Sequence, residues 1–379
     1  MRVYLDNAAT TPLDPEVFEV MRPFMLEDFG NPSSTHAHGR KVRASIESAR
    51  KKIAELLNCT PGEIIFTSGG TEADNTLIIS GIESYGIKHA ISTPIEHHAV
   101  THTLEVLEKQ GLVQLHHVDL DEKGHIIISH LEKLLQQYPN ALVSLMHANN
   151  EIGNLLDIKR IGELTAHYNA FFHSDTVQTM GHYQHNMKEL QVCGMTAGAH
   201  KFHGPKGVGF MYIRKGRKIH QFIHGGAQER NMRGGTENVY GIIGLAKALE
   251  ISYREMAEHE AHVKSLKTRM INKLREVIPG VSFNGDSSNL DKSLYTVLNV
   301  SLPESEENEM MLFNLDMAGV SASGGSACSS GASTGSHVLN ALYPESKRGA
   351  IRFSLSKYNT ESDIDFAIEK LSELVKVNV

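Results

Sequence analysis

The sequence predicts an α/β fold: a large domain around a mainly parallel central sheet, joined to a smaller α+β domain. Three observations predict it. Short apolar runs alternate with amphipathic stretches through the first two-thirds of the chain. The composition changes after about residue 277. The length of 379 residues is enough for a large buried core and two domains.

Taken in order, the runs at 63–67, 89–92, 113–117, 141–146 and 170–174 read as buried strands bounded by turn residues. Stretches such as 71–82, 99–109 and 158–168 between them carry helical periodicity. Strands alternating with helices imply a sheet covered on both faces, whose ligands gather at the carboxyl ends of the strands. From 237 to 277 the pattern is helical and highly charged, as in a long connecting helix with breaks. Beyond it, 296–301, 319–322 and 350–354 read as strands, and 306–317 and 361–375 as helices. The Thr11-Pro12 break sets off the N-terminal residues, which are expected to pack against this later part. The expected division is therefore 13–257 for the large domain, and 1–12 with 258–379 for the small one.

Composition excludes several classes. The formal charge is −7 with no block of basic residues, so nucleic acid is not an expected partner. No apolar run approaches the ~20 residues that span a bilayer, and Asp6 interrupts any N-terminal signal region. No membrane association is expected, and the cytoplasm is the expected location. Three cysteines, Cys59, Cys193 and Cys328, are too few and too scattered for a disulfide framework or a thiolate zinc site. His98 and His102 can share a helix face, but no third ligand stands near them, and no metal site is expected.

Four constellations carry chemistry. In Phe66-Thr67-Ser68-Gly69-Gly70-Thr71-Glu72-Ala73 a strand runs through two glycines into a helix start, where free amides and the dipole attract an anion. A tight turn capped by Thr71 would look the same. In Phe172-His173-Ser174-Asp175-Thr176-Val177-Gln178 a carboxylate ends a buried strand. It needs either a cation, such as a protonated pyridine nitrogen, or a helix to cap. Gln178 is near enough in sequence to reach the same ring. In Thr196–Gly209 two lysines, Lys201 and Lys206, sit among small and aromatic residues, and burial of either would expose the neutral amine that imine formation needs. In Ser323-Gly324-Gly325-Ser326-Ala327-Cys328-Ser329-Ser330 a thiol stands among small residues, suited to an accessible loop or to a packed turn. Cys59 and Cys193 read as structural.

Taken together, these motifs resemble the cysteine desulfurases, a branch of the class V aminotransferase group of fold type I enzymes that use pyridoxal 5'-phosphate (PLP). The likeness runs from Tyr4-Leu5-Asp6-Asn7-Ala8-Ala9 through Gly30-Asn31-Pro32, Glu96-His97-His98, Asn149-Asn150-Glu151, His200-Lys201, Arg230-Asn231-Met232-Arg233-Gly234-Gly235-Thr236 and Ser326-Ala327-Cys328 to Ile351-Arg352-Phe353. The resemblance implies that the large domain binds PLP and that Lys201, rather than Lys206, is the lysine bonded to it. It further implies Asp175 as partner of the ring nitrogen, Gln178 and Asn150 beside the ring, and His97 stacked on it. Gly70, Thr71 and His200 would hold the phosphate. Thr236 would reach the phosphate of a neighbouring subunit, which makes a homodimer with shared sites. Arg352, with Asn31 and Asn150, would bind the substrate, and Arg352 would fork onto its carboxylate. Catalysis would fall to Lys201, His97 and Cys328: L-cysteine becomes L-alanine, and the sulfur moves to Cys328 as a persulfide. A sulfur-acceptor protein, such as an iron–sulfur scaffold or a tRNA-thiolation protein, would then collect it.

Two departures from the family pattern stand out. Gly198 occupies the position where many members have a serine hydroxyl for the phosphate, and the chain stops at Val379, without the longer tail that docks the scaffold in many relatives. The alternatives are another class V reaction, selenocysteine cleavage or transamination, and a non-catalytic sulfur-binding protein on the same fold. Cys328 separates the first from desulfuration, since an aminotransferase needs no loop thiol.

Overall fold

The computed structural model describes residues 2–324 and 335–376. The chain opens with strand β1 (Val3–Tyr4) and helices α1 (Pro15–Leu26) and α2 (Ala37–Leu56). Then β2 (Ile64–Thr67), α3 (Gly70–Tyr85), β3 (His89–Ser92), α4 (His98–Lys109), β4 (Gln114–His117), α5 (Ile128–Gln137), β5 (Leu142–Ser144), α6 (Ile158–His167) and β6 (Phe171–Asp175) alternate. β7 (Gly194–Gly198) and β8 (Gly209–Ile213) follow, then the short α7 (Gln228–Asn231) and the paired α8 (Val239–Arg254) and α9 (Met256–Val277). The remainder comprises β9 (Ser282–Phe283), β10 (Val297–Glu304), α10 (Met311–Met317), β11 (Val320–Ser321), α11 (His337–Leu342), β12 (Arg348–Ser354) and α12 (Glu361–Lys376). Among the described residues, no helix is long and apolar enough to cross a membrane.

The main sheet has seven described strands in the order β2-β8-β7-β6-β5-β3-β4. All neighbours run parallel except at β8, which is antiparallel to both β2 and β7. The sheet is thus mainly parallel, as expected. The sequence reading did not include β7 and β8. Every residue of β7 is buried, yet it reads Gly-Met-Thr-Ala-Gly, because its neighbours come too close for larger side chains. A Cβ on Gly194 would stand 2.6 Å from Leu77 of α3, and one on Gly209 in β8 would stand 2.3 Å from the Ala197 carbonyl. Close packing has erased the apolar signal of β7, whereas β8, Gly-Phe-Met-Tyr-Ile, keeps it.

The connecting helix is two helices. The break falls at Glu255, whose φ of −103° and ψ of 5° leave the helical region, and whose carboxylate is tied to Lys357 and Arg254. The largest apolar core gathers residues from Val17 to Ile251, with a second one between the sheet and α3 and α4. A separate core joins Val3 and Leu5 to residues from Val263 to Leu371. There β12-β10-β9 form an antiparallel sheet, and β1 pairs in parallel with β11. The N-terminal strand is therefore stitched to the last third of the chain, so that Asp6, Ala8 and Ala9 emerge between the two bodies.

Candidate active site

At the carboxyl ends of the central strands a cavity of about 220 Å³ lies between the main sheet and β12. Its wall brings together Gly70 and Thr71 at the start of α3, His97 before α4, Asn150 after β5, Asp175 and Gln178 after β6, His200 and Lys201 after β7, and Arg352 of β12. Nine candidates far apart in sequence therefore converge. A larger cavity of about 650 Å³ shares Met146 with it and is lined by Glu96, His125 and Arg160 among others. Of the two, only the smaller gathers an amine, a strand-end carboxylate and a helix start.

Each side chain is held for a local reason. Gly70 must be glycine, since a Cβ there would come within 2.5 Å of Val177 Cγ2. Asp175 Oδ1 accepts from the Val177 amide at 2.8 Å and the Thr196 hydroxyl at 3.4 Å, which satisfies an anion at the end of a buried strand. Gln178 donates to the Ala8 carbonyl at 3.1 Å. Lys201 Nζ donates to the carbonyls of Ala8 and, at 2.9 Å, Ala9. His97 caps α4 by accepting from the Ala99 amide at 3.2 Å through Nδ1. Burial, opposed by the nearby Asp175 charge, lowers its pKa and favours the neutral ring. His200 is pushed down to about 4, chiefly by burial and then by the adjacent Lys201 charge.

Arg352 is 1% exposed. Nη1 donates to the Asn150 carbonyl and Nη2 to Asp6 Oδ1, both at 2.9 Å, so the guanidinium is oriented from two sides. Its Nε and the Oδ1 of Asn150 are buried without a hydrogen-bond partner. Buried polar atoms in that state are costly unless a ligand meets them.

Three candidates lie elsewhere. Asn31 is exposed, and its Oδ1 accepts from the Ser33 amide at 2.9 Å, away from the cavity wall. Thr236 is exposed in a separate cleft with Ser68 and Arg233. Arg233 is itself clamped by the Glu72 carboxylate at 2.9 and 3.1 Å. Cys328 falls outside the described residues. The chain reaches that segment from Ser323, whose backbone pairs both ways with Arg352. It returns at Ser336, which bonds Glu151, and His337, whose Nε2 lies 2.9 Å from the Glu96 carbonyl. Only the first of these ends is bonded to a residue of the cavity wall, Arg352. His98 and His102 stack at 4.5 Å, with His337 4.3 Å from His98.

Two groups in the wall escaped the sequence reading. The Ala8 and Ala9 carbonyls carry no side-chain signal at all. Asp74 does: one turn into α3, it is a charged residue on the face that Ala73, Leu77 and Ile78 bury.

The pieces fit PLP. Gly70 and the start of α3 offer amides for a phosphate, Asp175 a carboxylate for a ring nitrogen, Lys201 an amine, Arg352 an unpaired N–H donor for an amino-acid carboxylate, and Asn150 an unpaired acceptor oxygen.

The chain matches the Aminotransferase class-V family over residues 3–366. It is 45% identical over 379 residues to the cysteine desulfurase IscS of Dictyoglomus turgidum, covering 99% of this chain and 94% of that protein. It is 40% identical to the putative cysteine desulfurase IscS 1 of Bacillus subtilis, with 99% of each covered. Among solved structures, a NifS-like protein superposes with a TM-score of 0.91 at 37% identity over all of both chains.

Proposed function

This chain belongs to the class V aminotransferase family, in its cysteine desulfurase branch, and from that premise we propose how its own residues take sulfur from L-cysteine. The net reaction is L-cysteine plus the Cys328 thiol giving L-alanine plus the Cys328 persulfide. A sulfur–sulfur bond forms as the substrate's carbon–sulfur bond breaks, and the thiol proton balances the hydrogen gained by alanine.

PLP supplies an electron sink that loosens the bonds at the substrate's α carbon. The residues of the chain do the rest. Lys201 Nζ would hold the cofactor, and its amine, close to the Ala8 and Ala9 carbonyls, would hold or move a proton. His97, kept neutral by burial, accepts or returns a proton at its free ring nitrogen. Asp175 would face the ring nitrogen, and Gln178 would contact the ring from beside it. Gly70, Thr71 and His200 hold the phosphate, and Arg352 aligns the substrate carboxylate with help from Asn150. Cys328 takes the sulfur and passes it to an outside acceptor.

The single observation that carries this reading is the meeting of Lys201, Asp175, His97 and Arg352 around one cavity at the strand ends. Thr236, exposed and outside the chain's own cavity, suits contact with the site of a second copy, so we read the working unit as a homodimer. Separate apolar cores favour a large domain at 13–257 and a small one at 1–12 with 258–379. Asn31, exposed and distant from the wall, remains a substrate contact only through closure or a second copy. The acceptor is a sulfur-receiving protein, such as an iron–sulfur scaffold or a tRNA-thiolation protein.

The test is Cys328→Ala with mass spectrometry after addition of L-cysteine. The unmodified chain is expected to yield alanine and to gain one sulfur on Cys328. The variant is expected to retain the visible absorbance of bound PLP while losing both products. Full alanine release by the variant would defeat the persulfide step and return the chain to another class V reaction.

A further inference from the structure

Asp74 lines the same cavity, and none of the roles above falls to it. Its carboxyl, that of Asp175 and the His97 ring each place one atom within 4.8 Å of the others. Asp74 is 1% exposed and Asp175 6%. Two carboxylates this close in a closed site of low dielectric do not both ionise, so the pair holds a proton.

The donors decide which member carries it. Asp175 accepts the Val177 backbone amide at 2.8 Å, whereas the Thr196 hydroxyl, 3.4 Å from Asp175, also serves Asp74 and does not distinguish the two. Behind Asp74 stands His173, 0% exposed, with Nε2 3.2 Å from Asp74 Oδ1. Each of these two atoms is otherwise without a hydrogen-bond partner. The other ring nitrogen of His173 is 2.9 Å from Ser144 Oγ, which fixes the imidazole in place. Burial lowers the pKa of His173 to about 4 and raises that of Asp74 well above the usual carboxylate range, the Asp175 charge adding to the rise. The other titratable groups facing the pair are His97, Glu96, which burial pushes to about 8, and the cations Lys201 and Arg352 across the cavity. Burial thus disfavours the charged forms of His97 and Glu96, and Arg352 already has the Asp6 carboxylate at 2.9 Å.

We propose that Asp74 is the protonated half of a one-proton carboxyl pair with Asp175, braced from behind by His173 and Ser144, and that it positions the Asp175 carboxylate for the cofactor ring. Asp74 is a positioning residue: it acts through Asp175. The inference rests on Asp175 being the ring partner, and two independent measurements keep the two ideas separable.

The first is infrared difference spectroscopy of the full chain at pH 7, unmodified minus Asp74→Asn. The expected difference is the carbonyl band of a protonated carboxyl, and loss of only ionised-carboxylate bands overturns the proposal. The second is PLP affinity. Asp74→Asn, a neutral mimic of the protonated acid, should bind PLP within about threefold of the unmodified chain. Asp74→Ala should bind about tenfold more weakly or worse, as when a buried group loses its partner. Equal loss in both variants would mean that Asp74 acts as a charge, and no loss in either would remove the positioning role. A chain that takes up no PLP, or whose PLP is not trapped on Lys201 by borohydride, defeats the proposed function but leaves the infrared result standing.

Discussion

Lys267 allows a quantitative test of how the two bodies are joined. It sits on α9, is 0% exposed, and donates to Ser293 Oγ at 2.9 Å and the Leu294 carbonyl at 3.0 Å. Leu294 in turn donates its amide to the Gly153 carbonyl at 2.7 Å, so this amine supports the segment that ends the Asn149–Gly153 turn of the active site. Burial, with a smaller push from Lys264, lowers its pKa from 10.5 to about 7. At about 1.4 kcal/mol per pH unit, the folded chain bears a cost of roughly 4–5 kcal/mol at and below pH 7, where the amine is charged in the unfolded chain. Between pH 7 and 10.5 the unfolded chain binds more protons than the folded one, so stability rises with pH; above 10.5 the cost is gone. Lys267→Met removes the buried amine and leaves the Leu294 carbonyl unpaired, which costs about 1–3 kcal/mol. Ser293 keeps a partner in the Asn289 carbonyl at 2.6 Å. The variant is therefore expected to be more stable than the unmodified chain at pH 7 by roughly 2–3 kcal/mol. The sign is expected to reverse at about pH 9. The assay is denaturant unfolding at fixed protein and PLP concentrations in steps from pH 6.5 to 10, with the two proteins subtracted at each pH so that other titrating groups cancel. A difference that stays constant across that range would refute the claim that Lys267 loses its proton inside the fold.

Three other predictions concern the site. Arg352→Lys keeps the charge but not the fork, and loss of one charge-assisted hydrogen bond of about 2 kcal/mol should raise the KM for L-cysteine roughly 30-fold in steady-state alanine assays. Cys59 is pushed up to about 12 by burial, and Cys193 is also raised by burial; thiol titration with an aromatic disulfide at pH 8 should therefore find one fast-reacting group, absent from Cys328→Ala. A Cβ on Gly198 would stand 3.5 Å from His200 and 3.6 Å from the Gly70 amide, ordinary contacts; Gly198→Ser should therefore fold normally and retain PLP several-fold more tightly in dialysis, through one added hydrogen bond.

What the sequence revealed and what it hid divide along a physical line. The central strand Phe171–Asp175 was legible because it opens on two large apolar residues between turn residues. β7 was hidden although it lies in the middle of the sheet, since contact with Leu77 of α3 requires Gly194 and glycine carries no hydrophobic signal. The site shows the same contrast. Residues whose chemistry is unusual for their surroundings, Lys201 among small residues and Asp175 at a strand end, could be picked out one by one. The Ala8 and Ala9 carbonyls could not, because their contribution is made by backbone that any residue has. Asp74 lies between these cases. Its charge on the buried face of α3 was visible, but its meaning depends on a carboxyl a hundred residues away that only the fold brings within 4.8 Å. A lone buried acid and one member of a proton-sharing pair have the same local sequence. Distance in the folded chain separates them, and it makes Asp74 the residue whose substitution most directly tests how the Asp175 carboxyl is held in place.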